Sequence, residues 1–593
     1  MSSRRPIGYV VEIDGPQLLV NLLEDSRGHV AGHRDGLSTV EQPGDLVGID
    51  AGAETIILRI MTVAFAEPRE VHNAGRSRPS NFPQEPLRQL RGRVVGFLAK
   101  RDGKLTFSPQ EWRLPVLGAS VYPLSDIETV ATIGATGIEA EQIRLGADSR
   151  NRAVEVCANI DQVLGRHMAI LGSTGQGKTH FVAAVLQQLV RLPKSRIVVF
   201  DVNGEYTPAF ANLGHRVKIT QLGGPNGGLR IPYYALGRHG LSRLLIPSEK
   251  AQMPTLRFAI EHLRFVEADA HGAKLVGGQA NVLFDDCHTG NAAQANQAMT
   301  ALRGGTAPQA NVWPHMRALS CLATEWYVLK PNNQGWTRDT FQYGHIQSMI
   351  NRIRGLIEDP QFTSIVETAG GAGLANPLSM SDECAALVRD VFGPAIFGQN
   401  DWSIHIVDLS RLTQDLMPFV LGSLLEMFAA EIFKRGPGNT HPTMLALEEA
   451  HHYLRQLPGE SDGGQQALAY ERLAKEGRKF GLSLLISTQR PSEVSPTVLS
   501  QCGTWAVFRL NNEADQRAVA SAAETAGVNV SRQLAGLGRG EAIIFGAALP
   551  VPTRLSVSRP NPEPDSKDPP FLQEWSQANP APAGPGGDQV PGA

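Results

Sequence analysis

Little in this chain is extreme, and each shortage removes a class of protein. There are five cysteines in 593 residues, Cys157, Cys287, Cys321, Cys384 and Cys502. They are scattered with no CxxC spacing, which excludes a disulfide framework and a zinc ribbon and fits free thiols in a reducing compartment. The cluster Asp285-Asp286-Cys287-His288 has no second ligand pair at zinc spacing and reads as a polar loop. Aromatic residues make up 6%. No apolar run approaches the ~18 residues of a membrane span. The start, Met1-Ser-Ser-Arg-Arg-Pro, carries no apolar leader core. A cytoplasmic protein with no membrane segment is expected. Neither charge sign dominates: the formal net charge is −3. A basic overall surface is thus excluded, but not nucleic acid, since a ring can keep its cations inside a pore.

What the chain does have begins at the apolar run His167 to Leu171. It leads into Gly172-Ser173-Thr174-Gly175-Gln176-Gly177-Lys178-Thr179-His180, which fits G-x-x-x-x-G-K-[ST]. A buried strand that turns through glycines into a helix, Phe181 to Val190, points successive backbone N–H groups at phosphate oxygens. Lys178 is expected on the β- and γ-phosphates and the Thr179 hydroxyl on Mg²⁺. The cofactors implied are ATP and Mg²⁺.

Two further strand ends narrow the chemistry. Met444-Leu-Ala-Leu-Glu448-Glu449 places adjacent carboxyls after an apolar strand. Glu448 suits the Mg²⁺ shell, and Glu449 suits polarising the attacking water. Leu484-Leu-Ile-Ser487-Thr488-Gln489-Arg490-Pro491 ends another buried strand, where Gln489 is placed to sense the γ-phosphate. Upstream, Glu476-Gly-Arg478-Lys479 is either a surface pair or a finger entering a neighbour's site.

Around these motifs the periodicity changes. Residues 1–135 carry short alternating strands, among them Ile7–Ile13, Gln17–Leu22, Asp45–Ile49, Thr55–Met61 and Leu90–Phe97, and predict a β-barrel. Glu67 to Glu85 reads as an exposed loop. Residues 140–235 and 400–558 alternate strand and helix as one α/β nucleotide-binding core. Residues 236–399 have helical spacing and read as an insertion in that core. From 559 to 593 the chain is rich in Pro, Gly, Asp and Ala, and order is expected only near Pro570–Trp575.

Taken together, Arg166 through Thr179, Asp201-Val-Asn-Gly-Glu205-Tyr206, Leu447-Glu-Glu-Ala-His-His-Tyr453, Glu476-Gly-Arg-Lys-Phe-Gly481 and Ser487-Thr-Gln-Arg-Pro491 resemble the HerA family, in the HerA/FtsK branch of P-loop ATPases, in its bacterial form. The resemblance covers about residues 5 to 560. It implies an α/β, RecA-like P-loop core with an N-terminal barrel similar to that of ATP synthase subunits and an inserted helical subdomain. It places Asp201 and Glu205 near the nucleotide. Asn203 stands where the family commonly has His, and Glu448 where most P-loop proteins have Asp. It further implies a homohexamer, double-stranded DNA in the pore, and a partner nuclease or sirtuin-like NAD-consuming effector, in DNA end processing or antiphage defence. Gln456–Gln465 and Asn212–Gly228, with Arg216 and Lys218, are candidate pore loops. A conjugation or secretion ATPase and an ATP-regulated ring scaffold for an effector remain as other readings.

Overall fold

The computed structural model describes residues 6–23, 30–33, 36–39, 42–66, 87–101, 103–134, 139–223, 228–276, 292–332, 335–371, 382–399, 401–454, 469–525, 531–566 and 571–576. The N-terminal strands alternate buried and exposed side chains, as a sheet with one apolar face requires. Gly8–Asp14, Gln17–Leu22, Leu46–Ala51, Glu54–Phe65, Arg88–Arg101 and Ser120–Pro123 curl until Gln17–Leu22 pairs with Arg88–Arg101, and the barrel closes with no free edge. Val10, Leu18, Val20, Val47, Ile49, Ile56, Leu58 and Val94 fill it. Lys104–Ser108 hangs on the outside as a hairpin with Arg88–Arg101. Of the loop expected at Glu67 to Glu85, all lies outside the described residues.

A helix, Asp126–Ile133, leads out of the barrel. Ser125 and Glu128 form a reciprocal capping box at its start. Beyond it lies an 11-stranded sheet. Its order is Glu155–Asn159, Gln142–Asp148, Thr553–Val557, Glu541–Gly546, Cys502–Val507, His167–Leu171, Leu482–Thr488, Thr443–Leu447, Ile197–Asp201, Ile404–Asp408, Val217–Gln221. From Cys502–Val507 onward every neighbouring pair is parallel, and before it every pair is antiparallel. The central strands, His167–Leu171, Ile197–Asp201, Thr443–Leu447 and Leu482–Thr488, are buried at every position. That is why they read as continuous apolar runs rather than alternating ones. This is a RecA-like P-loop core. The phosphate-loop strand and the Glu448–Glu449 strand are not neighbours, since Leu482–Thr488 runs between them.

One face of the sheet packs on the phosphate-loop helix Lys178–Leu189, through Phe181, Val182, Val185 and Leu186. The other face shares one continuous core with the helical block, which includes Gly237–Leu245, Gln252–His262, Ala318–Val328, Thr340–Glu358 and Met417–Arg435. Within that block the helical run between Leu241 and Val266 is broken. Ile246 stands at φ 42° ahead of Pro247, and the helix restarts at Gln252. Proline disfavours helical backbone in the residue before it, so the break lies where that residue type puts it.

The C-terminal segment differs from its compositional expectation. Residues 559–566 lie along the phosphate-loop helix. Asn561 N–H donates to Gln187 Oε1 at 2.9 Å, and Gln187 Nε2 donates back to the Pro562 carbonyl at 2.8 Å. Pro560 and Pro564 are buried. A proline-rich segment has little entropy left to lose, so a few such contacts suffice to seat it.

Candidate nucleotide site

The site forms where parallel strands end and helices begin. Gly172 closes the phosphate-loop strand against Phe508, and a Cβ there would lie 2.5 Å from the Phe508 Cβ. Gly177 adopts φ 105°, open to glycine and costly for other residues. It starts the helix Lys178–Leu189, and no side chain caps that start. The first N–H groups of the helix, with the positive end of its dipole, therefore face the loop concavity. Outer supports hold the loop itself. Gly172 N–H donates to the Thr488 carbonyl at 3.3 Å, Ser173 N–H to the Arg509 carbonyl at 2.9 Å, and Gly540 N–H to the Gln176 carbonyl at 3.0 Å.

Lys178 is 6% exposed and donates to the Ser173 carbonyl at 3.2 Å. Burial pushes its ammonium down, against the upward pull of Glu449, Glu448 and Glu205. Thr179 Oγ1 lies 3.5 Å from Glu448 Oε1, and Glu205 also faces the Thr179 hydroxyl. Asp201 is fully buried, and both its oxygens are used by its own loop. Oδ1 accepts from Gly204 and Glu205 N–H at 2.9 and 3.1 Å, and Oδ2 accepts from Tyr206 N–H at 2.9 Å. It shapes the turn that presents Glu205.

The adjacent glutamates sit in opposite environments. Burial drives the Glu448 carboxyl well above the usual range, and the charges of Asp201, Glu205 and Glu449 add to it. For Glu449, burial pushes upward too. The hydrogen bond from His451, the Lys178 charge and the Gln489 N–H outweigh it and hold Glu449 below the ordinary glutamate value. Two carboxyls pushed apart in this way take different roles. Glu449 is the one held towards its charged form, the state in which a carboxyl can accept a proton. Glu448 Oε2 is buried, and the Tyr206 hydroxyl against its carboxyl satisfies it poorly. A divalent cation beside Thr179 fits that poorly satisfied carboxyl and would favour its charged form against the burial. Among the described residues no three His, Cys, Asp or Glu side chains gather as a metal cage.

Gln489 bridges the site. Its Oε1 accepts from the Thr174 hydroxyl of the phosphate loop, and its backbone N–H donates to Glu449 Oε2 at 3.3 Å. His180 reaches outward instead. Its Nδ1 lies 3.2 Å from Ser566 Oγ and its Nε2 4.0 Å from Glu563 of the C-terminal segment. Asp565 N–H donates to the Glu205 carbonyl at 2.9 Å, so this segment reaches the rim of the site.

The structure does not bring Arg478 to the phosphate loop of its own chain. Arg478 precedes Leu482–Thr488 and sits at the amino edge of the sheet, beside His167, at the start of the phosphate-loop strand. Seven residues of extended chain put it roughly 20 Å from the other edge. Arg216 and Lys218 are tied down internally. Arg216 donates to Ser403 Oγ and to the Val190 and Leu192 carbonyls, and Lys218 Nζ lies 2.6 Å from Asp390. Gln456–Gln465 and Asp285–His288 lie outside the described residues. Three participants had not been singled out from sequence: His451 against Glu449, Tyr206 buried against Glu448, and the C-terminal segment. His451 and Tyr206 fall inside the quoted motifs, and the third carried no signal.

No helix among the described residues is long and apolar enough to cross a membrane. A family model described as the central domain of helicase HerA matches residues 143–297. The DNA double-strand break repair helicase HerA of Pyrococcus furiosus is 24% identical over 481 residues, 75% of this chain and 74% of its own length. The probable double-strand break repair helicase HerA of Methanocaldococcus jannaschii is 25% identical over 496 residues, 78% of this chain and 85% of its own. The solved VirB4 of Thermoanaerobacter pseudethanolicus aligns with 72% of this chain and 98% of its own at 14% identity, with a TM-score of 0.42, a likeness too slight to carry an argument. With the phosphate loop and the paired glutamates in view, the chain is similar over about three quarters of its length to the HerA helicases, and residues 143–297 match the HerA central domain.

Proposed function

We propose that this protein is an ATP-driven motor that moves double-stranded DNA through a homohexameric ring and works beside a separate effector, a nuclease or a sirtuin-like NAD-consuming protein. The location proposed with it is cytoplasmic. The observation that carries the reading is the ionised Glu449 set between Lys178 and Gln489 at the end of a buried strand. A plain nucleotide-binding scaffold has no use for a buried carboxylate held in its charged form, which costs free energy to desolvate.

In the proposed cycle the loop Gly172–Gly177 and the uncapped helix start cradle the phosphates, and Lys178 neutralises charge on them. Bound Mg²⁺ would lie against Thr179 and Glu448, where it supplies charge neutralisation and orientation. Glu449 takes a proton from the attacking water. Gln489 links the loop to that base, so departure of the γ-phosphate is felt at both. Arg478, set at the far edge of its own sheet, serves only an adjacent subunit's site, which is why a ring is part of the proposal. DNA contacts are to phosphates and largely independent of sequence. The support for a DNA substrate is the naming of its relatives as DNA repair helicases.

A triplex-displacement assay on linear duplex, with the assembly mass measured in ATP and Mg²⁺, tests the proposal. ATP-dependent displacement by a hexamer is expected. Monomers at micromolar protein, or no displacement by an ATPase-active hexamer, would overturn it.

A further inference from the structure

Because Leu482–Thr488 runs between the phosphate-loop strand and the Glu448–Glu449 strand, its last residue faces both. Thr488 Oγ1 lies 3.0 Å from His451 Nδ1, and the same ring nitrogen lies 3.2 Å from Glu449 Oε2. Both oxygens can accept, so a protonated Nδ1 serves Glu449 and Thr488 together. Thr488 Oγ1 also accepts from Arg490 N–H at 3.0 Å, and Glu449 Oε2 from Gln489 N–H at 3.3 Å. The His451 ring is 4% exposed and packs beside His452, with centroids 4.1 Å apart.

Glu449 needs such a hold. It leaves its strand in left-handed backbone, at φ 42° and ψ 47°, which swings its side chain off the line of the strand. Its flexible side chain has several staggered positions to choose from. The Gln489 N–H fixes one oxygen from one direction only.

We propose that His451 is the positioning residue that fixes the Glu449 carboxylate, with Thr488 anchoring the pair to the strand end that bears Gln489. His451 acts through Glu449 and touches no reacting atom. The proposal rests on the reading of Glu449 as the general base. The device ties the base to the strand that contacts the phosphate loop, so base and γ-phosphate sensor move as one unit.

The test uses full-length protein and measures kcat and equilibrium ATP·Mg²⁺ affinity in parallel. Misplacing a catalytic group by about 1 Å costs roughly 10²-fold, so H451A is expected to lose about 10- to 100-fold in kcat with affinity unchanged. H451N puts an amide N–H near the place of Nδ1 and recovers most of the rate. H451Q puts one near the place of Nε2 and does not. T488V slows the wild-type protein and adds nothing in the H451A background. Should H451A fold poorly, the Asn-against-Gln contrast decides alone. Wild-type kcat in H451A, equal rates for H451N and H451Q, or independent multiplication of T488V and H451A would each overturn the proposal. E449Q separates the two levels. Wild-type turnover in E449Q sinks the general-base reading itself, whereas an inactive E449Q beside an unaffected H451A sinks only the positioning role.

Discussion

Replacing Glu449 by Gln changes one atom's chemistry and almost nothing in shape. The amide oxygen can still accept from the Gln489 N–H, now 3.3 Å from Glu449 Oε2, and from His451 Nδ1 at 3.2 Å. Glu448, Thr179 and the phosphate loop are untouched, so nucleotide binding is expected to persist. What disappears is the negative charge beside Lys178 and with it the capacity to take a proton. Loss of general-base catalysis costs about 10²- to 10⁴-fold, or roughly 3 to 5 kcal/mol of transition-state stabilisation. Burial makes the upper part of that range the expected one, because a dry site leaves no bulk water to replace the base. The assay is phosphate release at saturating ATP, paired with equilibrium binding of a fluorescent ATP analogue. Unchanged affinity with turnover reduced at least 10²-fold is the expected pair. Wild-type turnover would exclude Glu449 as the base and point instead to Glu205, which also faces Thr179.

Lys178→Ala removes the buried ammonium at the loop and is expected to abolish saturable ATP binding in the same equilibrium assay. Arg478→Ala is expected to keep ring assembly and ATP affinity but lose hydrolysis by about 10³-fold or more. Mixing it with Lys178→Ala subunits should return partial activity, since some interfaces then pair an intact loop with an intact finger. No recovery in verified mixed rings would contradict a trans role. His405 is fully buried, with Nδ1 2.7 Å from the Val391 carbonyl and Nε2 2.8 Å from Thr220 Oγ1, and burial pushes its ring down to about 4 from 6.5. Between those values the unfolded chain binds the proton and the folded one does not, so stability rises with pH across that window and is lost as pH falls through it. The loss is on the order of 3 kcal/mol by pH 4. Urea melts at pH 4.5 and 7 should differ less in His405→Gln than in the wild type.

The parts of the site that lie within one strand–loop–helix unit were legible in the sequence. The loop from Gly172 to Thr179, and Glu448 and Glu449 after their strand, depend only on local chain direction and burial. What was not legible depends on strand order. Nothing in Glu-Glu-Ala-His-His says that His451 meets Thr488, because that contact exists only since Leu482–Thr488 runs beside Thr443–Leu447. Asp201 carried the same ambiguity: its motif placed it near the nucleotide, and only the loop geometry spends both its oxygens on backbone N–H groups. Arg478 could be given a role from its motif but not an edge of the sheet. The seating of residues 559–566 escaped because composition reports on an isolated segment, whereas Gln187 and the phosphate-loop helix supply its partners from far away in sequence. In the helical block, Pro247 already marked the break that the apolar spacing from Leu241 to Val266 obscured.

The proposed function requires hydrolysis at this site to be coupled to duplex DNA. It is tested most directly by ATP turnover of the full-length protein, with and without linear double-stranded DNA, at two salt concentrations. Stimulation by duplex regardless of sequence is expected, weakening as salt rises if the contacts are to phosphates as proposed, and absent in Glu449→Gln. Turnover that ignores duplex DNA at low salt, in a protein that binds and hydrolyses ATP, would contradict it.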